Sequence, residues 1–309
     1  MTPTNQRAGI LLMIGAALIF SAQDAISRHL AEAYNVFMVV MIRYWFFAAF
    51  VVWVARRQAG GFRAAVRSGF PFLQVLRGTL LIAEVCVMVV AFMRLGLVET
   101  HAMFAAYPLI VAALSGPVLG EKVGWRRWAA IGVGFVGVMV ILEPGVTVFS
   151  PDALIPVVAA FMFALYGLLT RYVSRRDSAA VSFFWTGVSG AVLITLVGVW
   201  YWEPMSPPDW GWMALLCISG ATAHYLLINA YALAEASAIQ PFAYFQLPAA
   251  AVLGMTIFGE MLRTNVLIGA GIVVSAGLFT LWRARVRAQG ARPSKARANR
   301  APSAPSTDR

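Results

Sequence analysis

Apolar positions in this chain come in long unbroken runs rather than in alternation or in one-sided helical stripes. Runs of roughly the ~20 residues that cross a bilayer fall at 9–29, 36–55, 69–93, 97–119, 126–142, 153–173, 180–202, 211–233, 238–258 and 265–282. The spacing predicts ten helices joined by short connections, with no stretch long enough for a separate soluble domain. The run 97–119 has Pro108 near its middle, where proline has no N–H for the helical ladder and its ring presses on the preceding turn. About 139 residues on, the run from Ala236 repeats the pattern with Pro248, and Gly120-Glu121 in the first copy answers to Gly259-Glu260 in the second. The start of the chain repeats as well: residues 20–28, FSAQDAISR, align with residues 163–171, FALYGLLTR.

Five helices per copy is an odd number, so the second copy enters the bilayer from the opposite side to the first. The predicted fold class is therefore an all-α integral membrane protein with ten transmembrane helices arranged as two inverted five-helix repeats. The first repeat covers residues 1–142 and the second 153–282. Residues 283–309 read as a basic, disordered tail, poor in apolar residues and rich in Arg, Ala, Pro and Ser.

Composition agrees with the pattern. A chain of 309 residues that is 61% hydrophobic and 12% charged, with mean hydropathy +0.76, has more apolar surface than a soluble core can hide. A net charge of +11 would point to nucleic acid in a soluble protein. Here the position of the charge excludes that partner. With both termini in the cytoplasm, nineteen of the 24 Lys and Arg lie on inside segments; Arg28, Arg94 and Arg263 lie outside, and Arg43 and Arg77 lie within spans. This is the positive-inside bias, and it places the chain in the cytoplasmic (inner) membrane as a multi-pass protein in contact with lipid. Cys86 and Cys217 fall inside predicted helices as small packing residues, and nothing in their spacing calls for a metal or other cofactor.

Polar residues at membrane depth are the candidates for chemistry, since each costs several kcal/mol unless partnered. Asp24 and Arg43 lie at similar depth on the two arms of the first hairpin. They are expected either to pair as a structural unit or to handle substrate. Arg77 and Glu84 are seven residues apart and share a helix face. Glu84, close to mid-membrane, is a proton carrier or the neutralising partner of Arg77 or Arg43. His224 lies beside the position equivalent to Glu84 in the second copy, and it relays protons, bonds substrate or is satisfied by a backbone carbonyl. Trp185 sits well inside its span, unlike the tryptophans of the interfacial belt, and its indole N–H needs a partner there. Tyr166 is the counterpart of Gln23, and Tyr107, Tyr244 and Gln246 flank the two prolines.

The Gly-Glu pairs read first as helix ends. Gly120 and Gly259 provide left-handed caps, and Glu121 and Glu260 favour the start of the helix that follows; gating is the alternative. Glycines at close spacing, Gly132 and Gly271 among them, read as helix-packing positions or as a homodimer contact. No HExxH, paired membrane aspartates or channel-filter sequence is present. A membrane-embedded enzyme or a scaffold therefore stands only as an alternative class.

Several features together carry a family resemblance. Each half has an Ala-aromatic pair near the end of its third helix (Ala91-Phe92, Ala230-Tyr231), a proline-bearing fourth helix ending in Gly-Glu and a glycine-spaced fifth. The first half also contains Asp24-Ala-Ile-Ser-Arg28 and Met41-Ile-Arg-Tyr44. Over residues 9 to 282 the chain resembles the EamA-like branch of the drug/metabolite transporter superfamily. The second proline lies one residue nearer its glutamate than the first does, so the two kinks depart from strict symmetry.

The resemblance implies a central cavity lined by the third, fourth, eighth and ninth helices with parts of the first and sixth, opened to each side in turn. It implies a secondary transporter, not an enzyme, whose partner is a small-molecule substrate. Amino acids or related carboxylates and amines are the first expectation, and riboflavin-like vitamins or S-adenosylmethionine the alternative. In that setting Arg43 or Arg77 would attract an anionic group, and Tyr107, Tyr166, Trp185 and Tyr244 would enclose an apolar or aromatic part. Glu84 or Asp24 would carry a coupling proton, and Pro108 and Pro248 would act as hinges.

Overall fold

The computed structural model describes residues 6–57, 61–120, 124–142, 151–234 and 236–290, and among them every regular element is helical. In chain order these are α1 (Gln6–Ala33), α2 (Val36–Arg57), α3 (Gly61–Val66), α4 (Pro71–Phe104), α5 (Tyr107–Leu119), α6 (Trp125–Leu142), α7 (Pro151–Val173), α8 (Ala179–Gly198), α9 (Pro207–Leu233), α10 (Ala236–Ala243), α11 (Gln246–Phe258) and α12 (Thr264–Gly290). Seven spans are long and apolar enough to cross a bilayer: Gln6–Ala33, Val36–Arg57, Pro71–Phe104, Leu154–Val173, Ala179–Tyr201, Pro207–Leu233 and Ala238–Phe258. Tyr107–Leu119, Trp128–Ile141 and Thr264–Thr280 are shorter apolar helices. Their outward faces carry large exposed apolar side chains such as Leu11, Trp53, Val192 and Ile257, which suits a lipid surround.

Local chemistry sets the element ends. Asn35 caps α2, its side-chain oxygen accepting from Phe37 N at 2.9 Å. Ser178 does the same for α8 through Val181 N at 3.3 Å. Pro71 and Pro207 open α4 and α9, where a missing N–H costs nothing. Gly120 and Gly259 close α5 and α11 in the left-handed region, with φ of 77° and 64°. The helix through Pro108 is not a bent continuous rod. It is interrupted at Ala105-Ala106, and Pro108 sits in the first turn of α5; likewise the run 238–258 breaks at Tyr244-Phe245, with Pro248 in the first turn of α11. The prolines thus start new helices, the position that tolerates them. A sharper irregularity is Gly96, inside α4, with φ 80° and ψ 176°.

The packing respects the two halves. α1 lies on α9 as α4 lies on α7; α2 lies on α8 and α6 on α12; α1 meets α10 and α11 as α7 meets α5. Exchanging the halves maps this set of neighbours onto itself.

α6 and α12 approach closely at Gly137 and Gly269. A Cβ on Gly269 would stand 2.6 Å from the Gly137 carbonyl oxygen and one on Gly137 2.8 Å from the Gly269 oxygen. Of the closely spaced glycines, Gly132 and Gly271 face open space, because the helices are rotated so that the others meet. Gly269→Ala is therefore expected to destabilise the protein by about 1–3 kcal/mol, read as a lower thermal-unfolding midpoint in detergent, whereas Gly271→Ala leaves it unchanged. At the end of the chain, α12 continues past Trp282 to Gly290, into the segment expected as tail; residues 291–309 are outside the described residues.

Candidate functional site

A small buried cavity lies where the two halves meet. Phe20, Gln23, Asp24 and Ser27 of α1, Arg43 of α2, and Glu84, Met88, Phe92 and Phe104 of α4 line it on one side. Phe163 of α7, His224 of α9 and Gln246 of α11 face them, with Val85 and Val89 of α4 filling the remaining wall. Its volume is about 40 Å³, enough for a few waters and far less than an organic metabolite needs.

Sequence makes room for the polar groups. Gly220 on α9 has no side chain where a Cβ would stand 2.7 Å from Arg43 Nε and 3.1 Å from Gln23 Oε1. Arg43 reaches across to His224, Nη2 to Nε2 at 3.3 Å. A guanidinium only donates, so His224 Nε2 accepts and its proton sits on Nδ1, which is buried without a hydrogen-bond partner. Gln23 donates to Asp24 Oδ1 at 3.4 Å, leaving its own buried Oε1 unpartnered. Glu84 is only 4% exposed and, among the described residues, makes no hydrogen bond or ion pair. The cavity therefore presents an unpartnered donor, an unpartnered acceptor and a carboxyl between aromatic walls. His224 lies 5.1 Å from the Phe20 ring centroid and 6.0 Å from that of Phe47, and Phe163 packs 5.5 Å from Phe104. Buried polar groups are normally bonded, so an arrangement with several unmet demands at one place is suited to a polar, partly aromatic ligand.

Of the residues singled out from the sequence, Asp24, Arg43, Glu84, His224 and Gln246 come together here. The expected Asp24–Arg43 pair does not form. Asp24 Oδ2 meets His101 Nε2 at 3.0 Å and accepts from Gln246 Nε2 at 3.2 Å. The two residues share a depth but not a direction, since Asp24 faces α4 and α11 whereas Arg43 faces α9.

Tyr107 and Tyr166 stand one layer back. Tyr107 packs on Phe104 and Phe163 at 5.0 and 5.1 Å, and Tyr166 lies 5.8 Å from Phe163. Tyr244 lies outside the cavity, its ring pressed onto Gly277 of α12. Trp185 is also outside, donating its indole N–H to the Val66 carbonyl at 3.2 Å.

Arg77, fully buried, does not reach Glu84 or the cavity. Gln74 Oε1 accepts from its Nε at 3.1 Å and its Nη2 at 2.8 Å. Ser182 O, Thr186 Oγ1 and Thr170 Oγ1 accept further bonds at 2.5, 2.7 and 3.2 Å, and the guanidinium lies over Tyr166 at 5.3 Å. Gln74 in turn donates to Asp177 at 2.8 Å, and Asp177 also accepts from Ser68 Oγ at 2.5 Å and Gly69 N at 2.6 Å. Arg77 is thus the hub of a clamp joining α4, α7 and α8, balanced by Asp177 through one amide.

Glu260 is a helix-end group, but for a different helix from the expected one. Its carboxylate accepts from Leu97 N at 2.8 Å and Val98 N at 2.7 Å and pairs with Arg28. The break at Gly96 exposes those two N–H groups, and a carboxylate is the natural cap for them. Gly96 leaves the space, since a Cβ there would stand 2.6 Å from Glu260 Oε1. Glu121 lies outside the described residues. His101 carries no motif, and its sequence signal is only an ionisable ring within an apolar run. The cavity aromatics Phe20, Phe92, Phe104 and Phe163 are indistinguishable in sequence from ordinary packing residues.

Comparison with known proteins adds identity. The chain is 26% identical over 278 residues to an S-adenosylmethionine uptake transporter of Rickettsia prowazekii, covering 89% of this chain and 92% of that one. It is 29% identical to a riboflavin transporter of Vibrio cholerae, covering 89% and 93%, and 27% identical to one of Rhizobium johnstonii, covering 90% and 92%. A solved crystal structure 17% identical in sequence superposes with TM-score 0.66 over 91% of this chain and 99% of its own, which shows a shared fold. Residues 7–143 and 152–282 each match the EamA-like transporter family. With that double match and its apolar helices, this multi-pass membrane protein belongs to the EamA-like transporter family of the drug/metabolite transporter superfamily.

Proposed function

We propose that the protein is a secondary transporter that carries a small metabolite containing a flat heteroaromatic ring across the cytoplasmic membrane by alternating access. The observation that carries this reading is the cavity between the halves. Four phenylalanines wall it, and the unpartnered His224 Nδ1–H, Gln23 Oε1 and Glu84 carboxyl offer the donors and acceptors that ring nitrogens, carbonyls and amines require. Relatives named for S-adenosylmethionine and for riboflavin favour a ring-bearing substrate over a simple amino acid, carboxylate or amine. Both named molecules join a fused nitrogen heterocycle to a polar chain.

In this reading ten helices span the membrane as two inverted repeats with both termini inside, supported by the symmetric packing of the halves and the positive-inside charge bias. The volume of about 40 Å³ leaves no room for such a substrate in this conformation. Transport then requires the half-helices at Ala105-Ala106 and Tyr244-Phe245 to move apart, with Pro108 and Pro248 at the pivots. Transport by named relatives argues against an enzyme or scaffold.

The test is uptake of labelled riboflavin and of labelled S-adenosylmethionine into vesicles holding the purified protein, against protein-free vesicles. One of the two is expected to accumulate. Phe163→Ala is expected to weaken its apparent affinity by about tenfold, since stacking a ring on an aromatic side chain contributes about 1–3 kcal/mol. If neither compound accumulates and simple amino acids do, the ring-bearing substrate is wrong.

A further inference from the structure

Another cavity lies away from the one between the halves, on the outer face of the protein. It is a groove of about 540 Å³ between α2, α3, α8 and α9, a volume in the range of pockets that hold small ligands. Small side chains form its floor, where Ala55, Ala65 and Ala221 are buried. A run of rings forms its wall: Phe46, Phe50, Phe183 and Tyr225 follow one another with centroids 6.4, 6.3 and 5.5 Å apart. Phe46, Phe50 and Tyr225 are exposed on the surface that meets lipid, as is Ile218 farther along the groove.

One end of this apolar groove is basic. Val39 clusters with Met213 and Leu216, and Arg43 meets Gly220 and His224, so α2 and α9 run the same way. The groove therefore passes from Ile218 to Asn229 on α9 as α2 passes from Phe46 to Ala55, and it ends beside Arg56 and Arg57. At that end α3 contributes Ala65, with Arg63 two residues earlier. Arg56, Arg57, Arg63 and Arg67 are exposed, and none has an acidic partner among the described residues. Arg57 lies over the exposed ring of Trp53, 4.4 Å from its centroid, which holds a guanidinium at the depth where tryptophan marks a membrane interface.

The wall also carries donors that face lipid. Thr222 Oγ1 and Asn229 Nδ2 each donate back along α9 at 2.8 Å, to the carbonyls of Ile218 and Tyr225. The Tyr225 hydroxyl and the second N–H of Asn229 have no acceptor among the described residues. Asn229 is four residues, about 6 Å, from the last residue of α9. Groups of this kind need a partner in an apolar surround, and the ester carbonyls of a phospholipid are acceptors that lie just below the phosphate.

We propose that this groove binds one anionic phospholipid, with an acyl chain along the aromatic wall and the phosphate on Arg56, Arg57 and Arg63. The planar guanidinium fork matches phosphate oxygens in pairs, and burying an acyl chain supplies the apolar part of the affinity. A soluble phosphate uses only the arginines, and a zwitterionic lipid brings its own cation to them; an anionic phospholipid uses the whole site. Because α2 and α3 belong to the first half and α8 and α9 to the second, the bound lipid bridges the halves. The site stands on the lipid-facing surface alone and does not depend on the transported substrate.

Native mass spectrometry of the delipidated full chain, titrated in detergent with phosphatidylglycerol or with phosphatidylcholine of the same acyl chains, tests this. The first phosphatidylglycerol is expected to bind about tenfold more tightly than the first phosphatidylcholine. Arg56→Gln, Arg57→Gln and Arg63→Gln together are expected to remove that preference, although the basic residues 283–309 are untouched; lysine at the same three positions is expected to retain most of it. Thr222→Trp fills the groove from its exposed wall and keeps every arginine. It is expected to weaken the first phosphatidylglycerol by about tenfold. All the substituted side chains are exposed, so the thermal-unfolding midpoint of the lipid-free variants is expected to be unchanged, whereas phosphatidylglycerol raises the midpoint of the unaltered protein. Equal affinity for the two lipids overturns the proposal, and so does a preference that survives loss of the three arginines. Full affinity in Thr222→Trp overturns it as well, since the lipid would then adsorb by charge without entering the groove. A two-chain species that Thr222→Trp dissociates assigns the groove to a second copy of the protein instead.

Discussion

Replacing Arg77 with alanine is expected to cost the fold about 3–5 kcal/mol, the range for removing one member of a buried charged network, and to leave substrate affinity intact in the protein that remains folded. The guanidinium is fully buried and serves five acceptor contacts on three helices. Its loss empties a side-chain-sized volume, leaves Gln74 Oε1 without a donor and removes the counter-charge for Asp177. The threonines are less affected, since Thr170 and Thr186 still donate to Tyr166 O and Ser182 O at 2.7 Å each. Arg77→Lys keeps the charge but not the planar fork, and should cost about half as much. The measurement is a pair: the thermal-unfolding midpoint in detergent, and uptake normalised to folded protein. A midpoint that stays put while affinity drops tenfold would make Arg77 a substrate group after all.

The second large effect concerns Glu260. Glu260→Ala is expected to free the start of the α4 arm, at a local cost of about 3 kcal/mol. That is the low end of the range for a buried pair, because the Arg28 and Glu260 side chains are 16% and 14% exposed. Such a cost corresponds to roughly hundredfold faster exchange, and hydrogen exchange at the Leu97 and Val98 amides reads it directly, because those N–H groups lose their only acceptor seen here. Glu260→Gln keeps one oxygen for the cap and loses the ion pair, so it should fall between. Arg28→Ala tests the other arm: in a double-mutant cycle the two sites should couple by about 1–3 kcal/mol. Unchanged exchange at Leu97 and Val98 in Glu260→Ala would show that the cap does not hold the arm.

The contrast between these two residues shows how far the sequence reaches. Gly259-Glu260 is legible as a helix end, because a left-handed glycine and a terminal carboxylate are local signals. That the carboxylate caps Leu97 is not, because a short-range rule assigns it to the next helix in the chain. Arg77 and Glu84 share a face by periodicity, yet one joins the clamp on α7 and α8 and the other the cavity. Seven residues fix the angle around a helix but not which neighbour each side chain finds at its own height. Among the cavity groups, Asp24, Arg43, Glu84, His224 and Gln246 stand out in the sequence because polar groups in apolar runs are costly. The phenylalanines do not, because an apolar ring is at home in lipid, core and cavity alike.

The sequence by itself determined that this is a multi-pass helical protein, where its apolar helices run, and which buried polar groups need partners. Each of those follows from one-dimensional properties, since the bilayer acts on every segment as the same solvent and hydropathy is read residue by residue. Only the tertiary structure decided the partners: Asp24 with His101 across 77 positions, Arg28 with Glu260 across 232, and Arg77 with Thr186 across 109. Those pairings depend on the rotation and order of packed helices, which are set by the shapes of opposing surfaces such as Gly137 on Gly269 and Gly220 beneath Arg43. A hydropathy run carries no record of which way a helix is turned.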